Sequence, residues 1–289
     1  MKQLFRPRLF LIAAMGIFGT IGLFVRRIGV SSGELALYRA VLAAMIIGLF
    51  LLVTKQKIPF RKLGRELILL LISGAAMGFN WILLFEAYKY TTVSVATLSY
   101  YFAPVLVTLA CPLLFREKMS GKSWLCFAMS TVGIVLITGV GDLSGGGAHM
   151  KGILFGLGAA CFYASVILLN KCIKNVQGIH RTFLQFLSAI VVLIPYVATT
   201  GGIRLQVLDA FGWVSLLIVG LVHTGAAYCL YFSSLKELPG QKAAILSYID
   251  PLVAVLLSVT VLGEPMTVPQ IIGGVLILGF TLWNEMGTK

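Results

Sequence analysis

The chain has 289 residues, 59% hydrophobic and only 11% charged, with a mean hydropathy of +0.98. A soluble domain carries about 25% charged residues. These charges are too few to cover a soluble globule, so lipid is the expected solvent. The formal net charge of +13 invites a nucleic-acid reading, which the positions of the charges argue against.

Crossing a hydrocarbon core takes about 20 apolar residues. Windows of that length predict ten spans, at residues 9–27, 34–54, 66–88, 92–115, 123–140, 152–171, 182–200, 211–233, 241–262 and 268–286. The opening "MKQLFRPRLFLIAAMGIFG" has no clear small-x-small cleavage site and continues in the pattern of later spans. It is read as a retained first helix rather than a signal peptide. If the N-terminus is cytoplasmic, 17 of the 23 lysines and arginines fall in cytoplasmic segments. This positive-inside pattern predicts ten helices with both termini cytoplasmic, in the cytoplasmic (plasma) membrane. The expected partners are a lipid bilayer and a small-molecule substrate, with protons as a candidate coupling ion, and no nucleic acid. The oligomeric state is not readable.

The chain repeats itself. Shifted by 147 residues, Phe85–Ser120 lies over Phe232–Thr267 without a gap. Tyr101 meets Tyr248, Pro104 meets Pro251 and Glu117 meets Glu264. Upstream, "LYRAVLAA" pairs more weakly with "FLQFLSAI" at a shift of 146. The first repeat is placed at residues 1–140 and the second at 152–289. The glycine-rich linker, residues 141–151, lies between them. Five spans per repeat make equivalent helices cross in opposite directions. The charges agree, since "REKMSGK" is basic and "GEPMTVPQ" has no Lys or Arg. The predicted fold is an all-α membrane protein: ten transmembrane helices as two inverted five-helix repeats around a central cavity. Inverted repeats of this kind are typical of secondary transporters, with the substrate site near the midplane.

The whole chain resembles the EamA-type carriers of the drug/metabolite transporter superfamily. The resemblance is carried by "YRAVLAA", "EAYKYTTVSVATLSYYFAPVLVTL", "FREKMS", "HTGAAYCLYFSSLKELPGQKAAILSYIDPLVAVLLSVTVLGEPMT" and "IIGGVLILGF". It implies ten helices around a cavity, alternating access, and often export of amino acids or other metabolites. It leaves the substrate open.

Only ten acids are present, and a carboxylate at membrane depth is a functional candidate by default. Most sit in loops or at membrane edges, and three, Glu34, Glu86 and Asp250, are the candidates within or just inside predicted spans. Glu86 is read either as a proton or cation site or as an interfacial acid neutralised by Lys89, three residues on. Glu34 is read as a coupling group or as a first-turn acid that favours the helix dipole. Asp250 precedes Pro251 inside the ninth span. It is a titratable site or, in the structural reading, the N-cap of a second half-helix with Pro251 at its first position. Pro104 and Pro251 are the expected hinges.

Arg39 could bind a substrate carboxylate, or snorkel or tie its helix to a neighbour; the resemblance favours the structural role. His223 could titrate or be a satisfied interhelical hydrogen-bonder. Asn80, Trp81, Tyr100, Tyr101, Tyr163, Tyr228, Ser247 and Tyr248 are candidates for the cavity wall. If acids and rings share that cavity, a cationic or zwitterionic solute would suit it.

No nucleotide loop, metal cluster or nucleophile triad appears, so no cofactor, metal or catalytic residue is expected. The five cysteines are expected to be small buried apolar residues. Gly74 with Gly78, Gly152 with Gly156, and Gly273 with Gly274 are expected packing contacts. The function expected is export of a small polar metabolite, most plausibly an amino acid or amine, coupled to protons or not. An uncoupled facilitator, or a non-transport scaffold or lipid-handling protein, is the alternative.

Overall fold

The computed structural model describes residues 5–58, 63–64, 66–115, 120–138, 146–176, 178–235, 237–238, 243 and 246–286. It is all-helical, with no strand among the described residues. Seven helices are long and apolar enough to cross a membrane, and three shorter apolar ones accompany them. The helices are α1 (Phe5–Gly19), α2 (Ile21–Val25), α3 (Ser32–Val53), α4 (Glu66–Tyr90), α5 (Val93–Tyr100), α6 (Ala103–Phe115) and α7 (Gly121–Thr138). They continue as α8 (Gly146–Cys172), α9 (Gly178–Thr200), α10 (Ala210–Leu217), a π-helical segment (Ile218–Ala226), α11 (Ala227–Leu235), α12 (Ile249–Thr260) and α13 (Val268–Glu285).

Local chemistry sets several boundaries. Ser31 caps α3 in a capping box with Glu34, and Thr267 caps α13 in another with Gln270, with a proline in the first turn. Such boxes satisfy two orphan N–H groups reciprocally. Thr92 caps α5 and Asp209 caps α10. Gly146 already begins α8. The latter part of the glycine-rich linker is therefore helix, and residues 141–145 lie outside those described.

The spans that carry Pro104 and Pro251 are interrupted. α5 stops at Tyr100 and α6 starts at Ala103, just before Pro104. Tyr248 is a turn residue, and α12 starts at Ile249, just before Pro251. A proline in a first turn removes an N–H that would have been unpaired anyway. Asp250 is not the N-cap. Tyr248 holds that position without a side-chain cap, and Asp250 lies one residue inside the helix. Its carboxylate is drawn elsewhere, to Tyr101 on α5's C-terminal cap.

Packing pairs distant helices. α4 lies along α8 and α9; α3 lies along α9 and the π segment. α1 lies along α11 and α12, α5 and α6 along α8, and α7 along α13. Gly74 stands against Ser188 and Gly78 against Leu193, both on α9. In the π segment, Gly220 stands against Leu42 and Gly225 against Ile46, both on α3. The glycine spacing grows from four residues to five between the two places. A π turn, with its i→i+5 bonds, keeps residues five apart on one face. The shift between the halves of the sequence likewise grows from 146 to 147. One extra residue is thus absorbed as a π segment.

Gly152 meets Thr91, Gly156 meets Ser99 and Gly274 meets Leu98, as expected of packing glycines. The cysteines are free, but only Cys126 is buried; Cys161 and Cys172 are exposed. Lipid-facing positions accept a small apolar side chain as readily as a protein core does.

α7 and α13 touch backbone to backbone. A Cβ on Gly133 would lie 2.7 Å from the Gly273 carbonyl oxygen, and one on Gly273 would lie 2.5 Å from that of Gly133. Gly273→Leu is expected to push these helices apart. Overpacking costs about 1–3 kcal/mol, and backbone gives way less than side chains do. The midpoint of thermal unfolding in detergent should fall by several degrees, while Gly279→Leu, with open space around it, should not change it.

Candidate functional site

Arg39 is buried one to two turns into α3. Its Nε donates to Thr224 Oγ1 in the π segment at 2.6 Å. Thr224 in turn donates to the Val219 carbonyl, five residues back, at 2.9 Å. The guanidinium carbon lies 4.5 Å from the Trp81 ring centroid and 5.6 Å from that of Phe85. A cation over an aromatic face gains about 0.5–2 kcal/mol. Among the described residues, no protein acceptor meets the two terminal nitrogens of Arg39. The flat end of the guanidinium, the part that grips carboxylates in pairs of bonds, is therefore open.

Gln185, the residue matching Arg39 in the repeat, has its amide nitrogen engaged by two neighbours. Its Nε2 donates to Ser73 at 2.5 Å and to Asn170 at 2.8 Å. The same position in the two halves thus holds a closed amide network on one side and an open cation on the other.

Asp250 Oδ2 accepts from the Tyr101 hydroxyl at 2.5 Å. Tyr101 lies edge-on to Tyr100, with centroids 5.9 Å apart, and Tyr100 stacks on Tyr163 at 5.2 Å. Arg39 lies within electrostatic range of Asp250, Tyr88, Tyr100 and Tyr228. Tyr228 packs on Phe18 and Phe186, and Phe186 packs on Trp81. A cation, an acid and a train of rings thus occupy one region between the helices, with Tyr163 at its exposed edge. Arg39, Trp81, Tyr100, Tyr101, Tyr163, Tyr228 and Asp250 are brought together here.

The other candidates stand apart. Glu34 completes the α3 capping box: Ser31 N donates to its Oε2 at 3.1 Å, and Arg204 N donates to Oε1 at 2.5 Å. Glu86 pairs with Lys89 at 3.0 Å on a partly exposed face. Asn80 Nδ2 donates to the Ala159 carbonyl at 2.7 Å and ties α4 to α8. Ser247 donates to the Ala243 carbonyl within its own chain segment at 2.9 Å. Tyr248 is buried at the α12 boundary. His223 has protein partners at both nitrogens. Nδ1 lies 3.2 Å from the Ile218 carbonyl and Nε2 lies 2.7 Å from the Thr20 hydroxyl, each within hydrogen-bond distance. That is the arrangement of a satisfied interhelical histidine.

Sequence reasoning missed Glu264 as a structural centre. Gly263, at φ +65°, turns the chain after α12. Glu264 then forms an ion pair with Arg26 and accepts from the Ser258 hydroxyl. It also accepts from Val93 N at the start of α5, at 2.8 Å. Ser94 N donates to Ser258 Oγ at 3.2 Å, and Arg26 donates to the Thr91 carbonyl at 2.5 Å. The available signal was Arg26 itself, one of few basic residues outside the positive-inside pattern. Its repeat mate Glu117 lies outside the described residues.

The apolar helices and the polar, aromatic-lined core define an integral membrane protein of the transporter class. The EamA-like transporter family matches residues 7–139 and 150–284, and the chain belongs to that family. It is 32% identical to the Bacillus subtilis (strain 168) transporter YxxF over 281 residues, 96% of this chain and 89% of that one. It is 28% identical to a transporter of Archaeoglobus fulgidus, over 93% of both chains. A Salmonella typhimurium protein named as a probable amino-acid metabolite efflux pump is 25% identical over 186 residues, 61% of each chain. A solved crystal structure aligns with a TM-score of 0.64 over 97% of both chains at 16% identity, which is a likeness of fold.

Proposed function

We propose that the chain is a secondary active exporter of small polar metabolites, amino acids or amines, working by alternating access in the cytoplasmic membrane with both termini inside. The observation that carries this reading is the open guanidinium end of Arg39 near Asp250, with tyrosine rings around them. Arg39 takes the substrate carboxylate. Asp250 and the faces of Tyr100, Tyr163 and Tyr228 take the ammonium. Asp250 also takes the coupling proton, since a carboxylate that faces a cation on one step and a proton on the next exchanges the two.

Ten spans in two inverted five-helix repeats suit this cycle. Exchanging the halves turns the α4–α9 contact into that of the π segment with α3, and the α4–α8 contact into that of α11 with α1. The two glycine pairs exchange in the same way. Two equivalent packings offer two equivalent states, open to opposite sides. The interruptions before Pro104 and Pro251 are the places where α5–α6 and α12 bend. The Salmonella relative supports the amino-acid class.

The reading is tested with purified protein in proteoliposomes. Counterflow of a labelled amino-acid mixture should exceed that of empty vesicles, and an outward proton gradient, acid inside, should drive accumulation. No flux of any amino acid or amine would overturn it. In the same assay Glu86→Gln should keep flux and its pH dependence within about twofold, because an exposed ion pair is worth about 0–1 kcal/mol. Loss of pH-driven uptake in that variant would move the coupling from Asp250 to Glu86.

A further inference from the structure

A cavity of about 340 Å³ opens between the first turn of α3 and the last turn of α4, away from the Arg39 core. Its size falls at the small end of ligand pockets, about 300–1,000 Å³, which pair mostly apolar walls with a few placed polar groups. The walls here are Val25, Ile28, Val30, Leu35 and Phe85. The polar groups are Ser32, Tyr88, Arg26 and Lys89.

Ser32 stands out among them. It is 1% exposed, and its hydroxyl has no hydrogen-bond partner. A buried hydroxyl left unpaired costs about 1–3 kcal/mol. It sits in the first turn of α3, a 22-residue helix, where the helix dipole favours an anion. Glu34 in the same turn meets part of that preference through Ser31 N, with Arg204 N and Tyr38 on its other oxygen, and leaves the Ser32 hydroxyl unused. Arg26 has both ends engaged, by Glu264 and the Thr91 carbonyl. Tyr88 shares a hydrogen bond with Thr97. Lys89 is paired with Glu86 at 3.0 Å, but its side chain is 45% exposed and the pair is screened by solvent, so it is the cation that a second carboxylate can share.

We propose that this cavity is a second binding site, for a molecule joining one carboxylate to an apolar body. The carboxylate rests on Ser32 and Lys89, and the body lies against Leu35 and Phe85. Phe85 also lies beneath the Arg39 guanidinium, so its ring separates this site from the core. A solute released by Arg39 toward this end of the bundle enters a place that accepts the same carboxylate. The inference goes beyond the transport reading and stands or fails separately.

The test is a thermal-shift titration of the full chain in nanodiscs with phenylacetate, using phenethylamine as the charge control. Phenylacetate should raise the unfolding midpoint and phenethylamine should not. Ser32→Ala should weaken phenylacetate about tenfold, the loss of one bond to a charged group. Lys89→Gln, on an exposed side chain that puts folding at no risk, should weaken it about threefold. Arg39→Gln should leave it unchanged. The proposal is overturned if phenylacetate gives no shift, or if phenethylamine binds equally well. It is equally overturned if Ser32→Ala and Lys89→Gln bind like the parent, or if Arg39→Gln alone abolishes binding, which would place the probe in the core.

Discussion

Arg39→Gln is expected to raise the half-saturation concentration for an amino acid about ten- to a hundredfold in counterflow. A hydrogen bond to a charged group is worth about 1.5–3 kcal/mol, and the open guanidinium end would be lost. Glutamine is the residue at the matching position, Gln185, where it is buried without distorting its helix, so the fold should tolerate it. Arg39→Lys should fall between, because an ammonium keeps the charge but lacks the planar fork and its stacking on Trp81. Thr224→Val separates the structural role from the binding role. It removes the Nε contact and leaves the open end, so it should lower stability by about 1 kcal/mol with affinity largely kept. If Arg39→Gln transports with unchanged affinity, Arg39 serves only to tie α3 to the π segment.

Asp250→Asn is expected to uncouple rather than to unfold. The asparagine oxygen still accepts from Tyr101, so the contact between α5 and α12 survives. What disappears is the group that exchanges a proton. Accumulation driven by a pH gradient should drop to the level of empty vesicles, while counterflow of labelled against unlabelled substrate persists at a raised half-saturation concentration. Equal loss of both activities would make Asp250 a binding residue alone. Unchanged pH-driven uptake would remove it from the coupling altogether.

The helices themselves were legible because apolar windows of membrane length are a one-dimensional signal. Each of the ten predicted windows has a helical counterpart, and the interruptions near Pro104 and Pro251 lie within a few residues of the positions expected. The site was legible only in its vocabulary. Asp250 and Tyr101 are 149 residues apart, and Arg39 and Thr224 are 185 apart. Such pairs depend on how each helix is rotated and tilted, which local pattern does not state. The same limit explains the acids. Glu34, Glu86 and Asp250 looked alike as rare carboxylates, yet one caps a helix, one pairs at the rim and one enters the core. The π segment left a trace that was readable, the change of repeat shift from 146 to 147, but its meaning required the helix around it.

The start of α5 bears on how the chain is assembled during synthesis. Val93 N and Ser94 N, both buried, find their acceptors in Glu264 and Ser258. Those residues are made more than 160 positions later. Until the ribosome has delivered the end of α12 and the turn after it, two backbone donors stand unpaired at a cost of about 1–3 kcal/mol each. An isolated N-terminal half, or a chain stopped short of Glu264, keeps that debt permanently. The two halves resemble one another in sequence, yet the first is finished only by the arrival of the second.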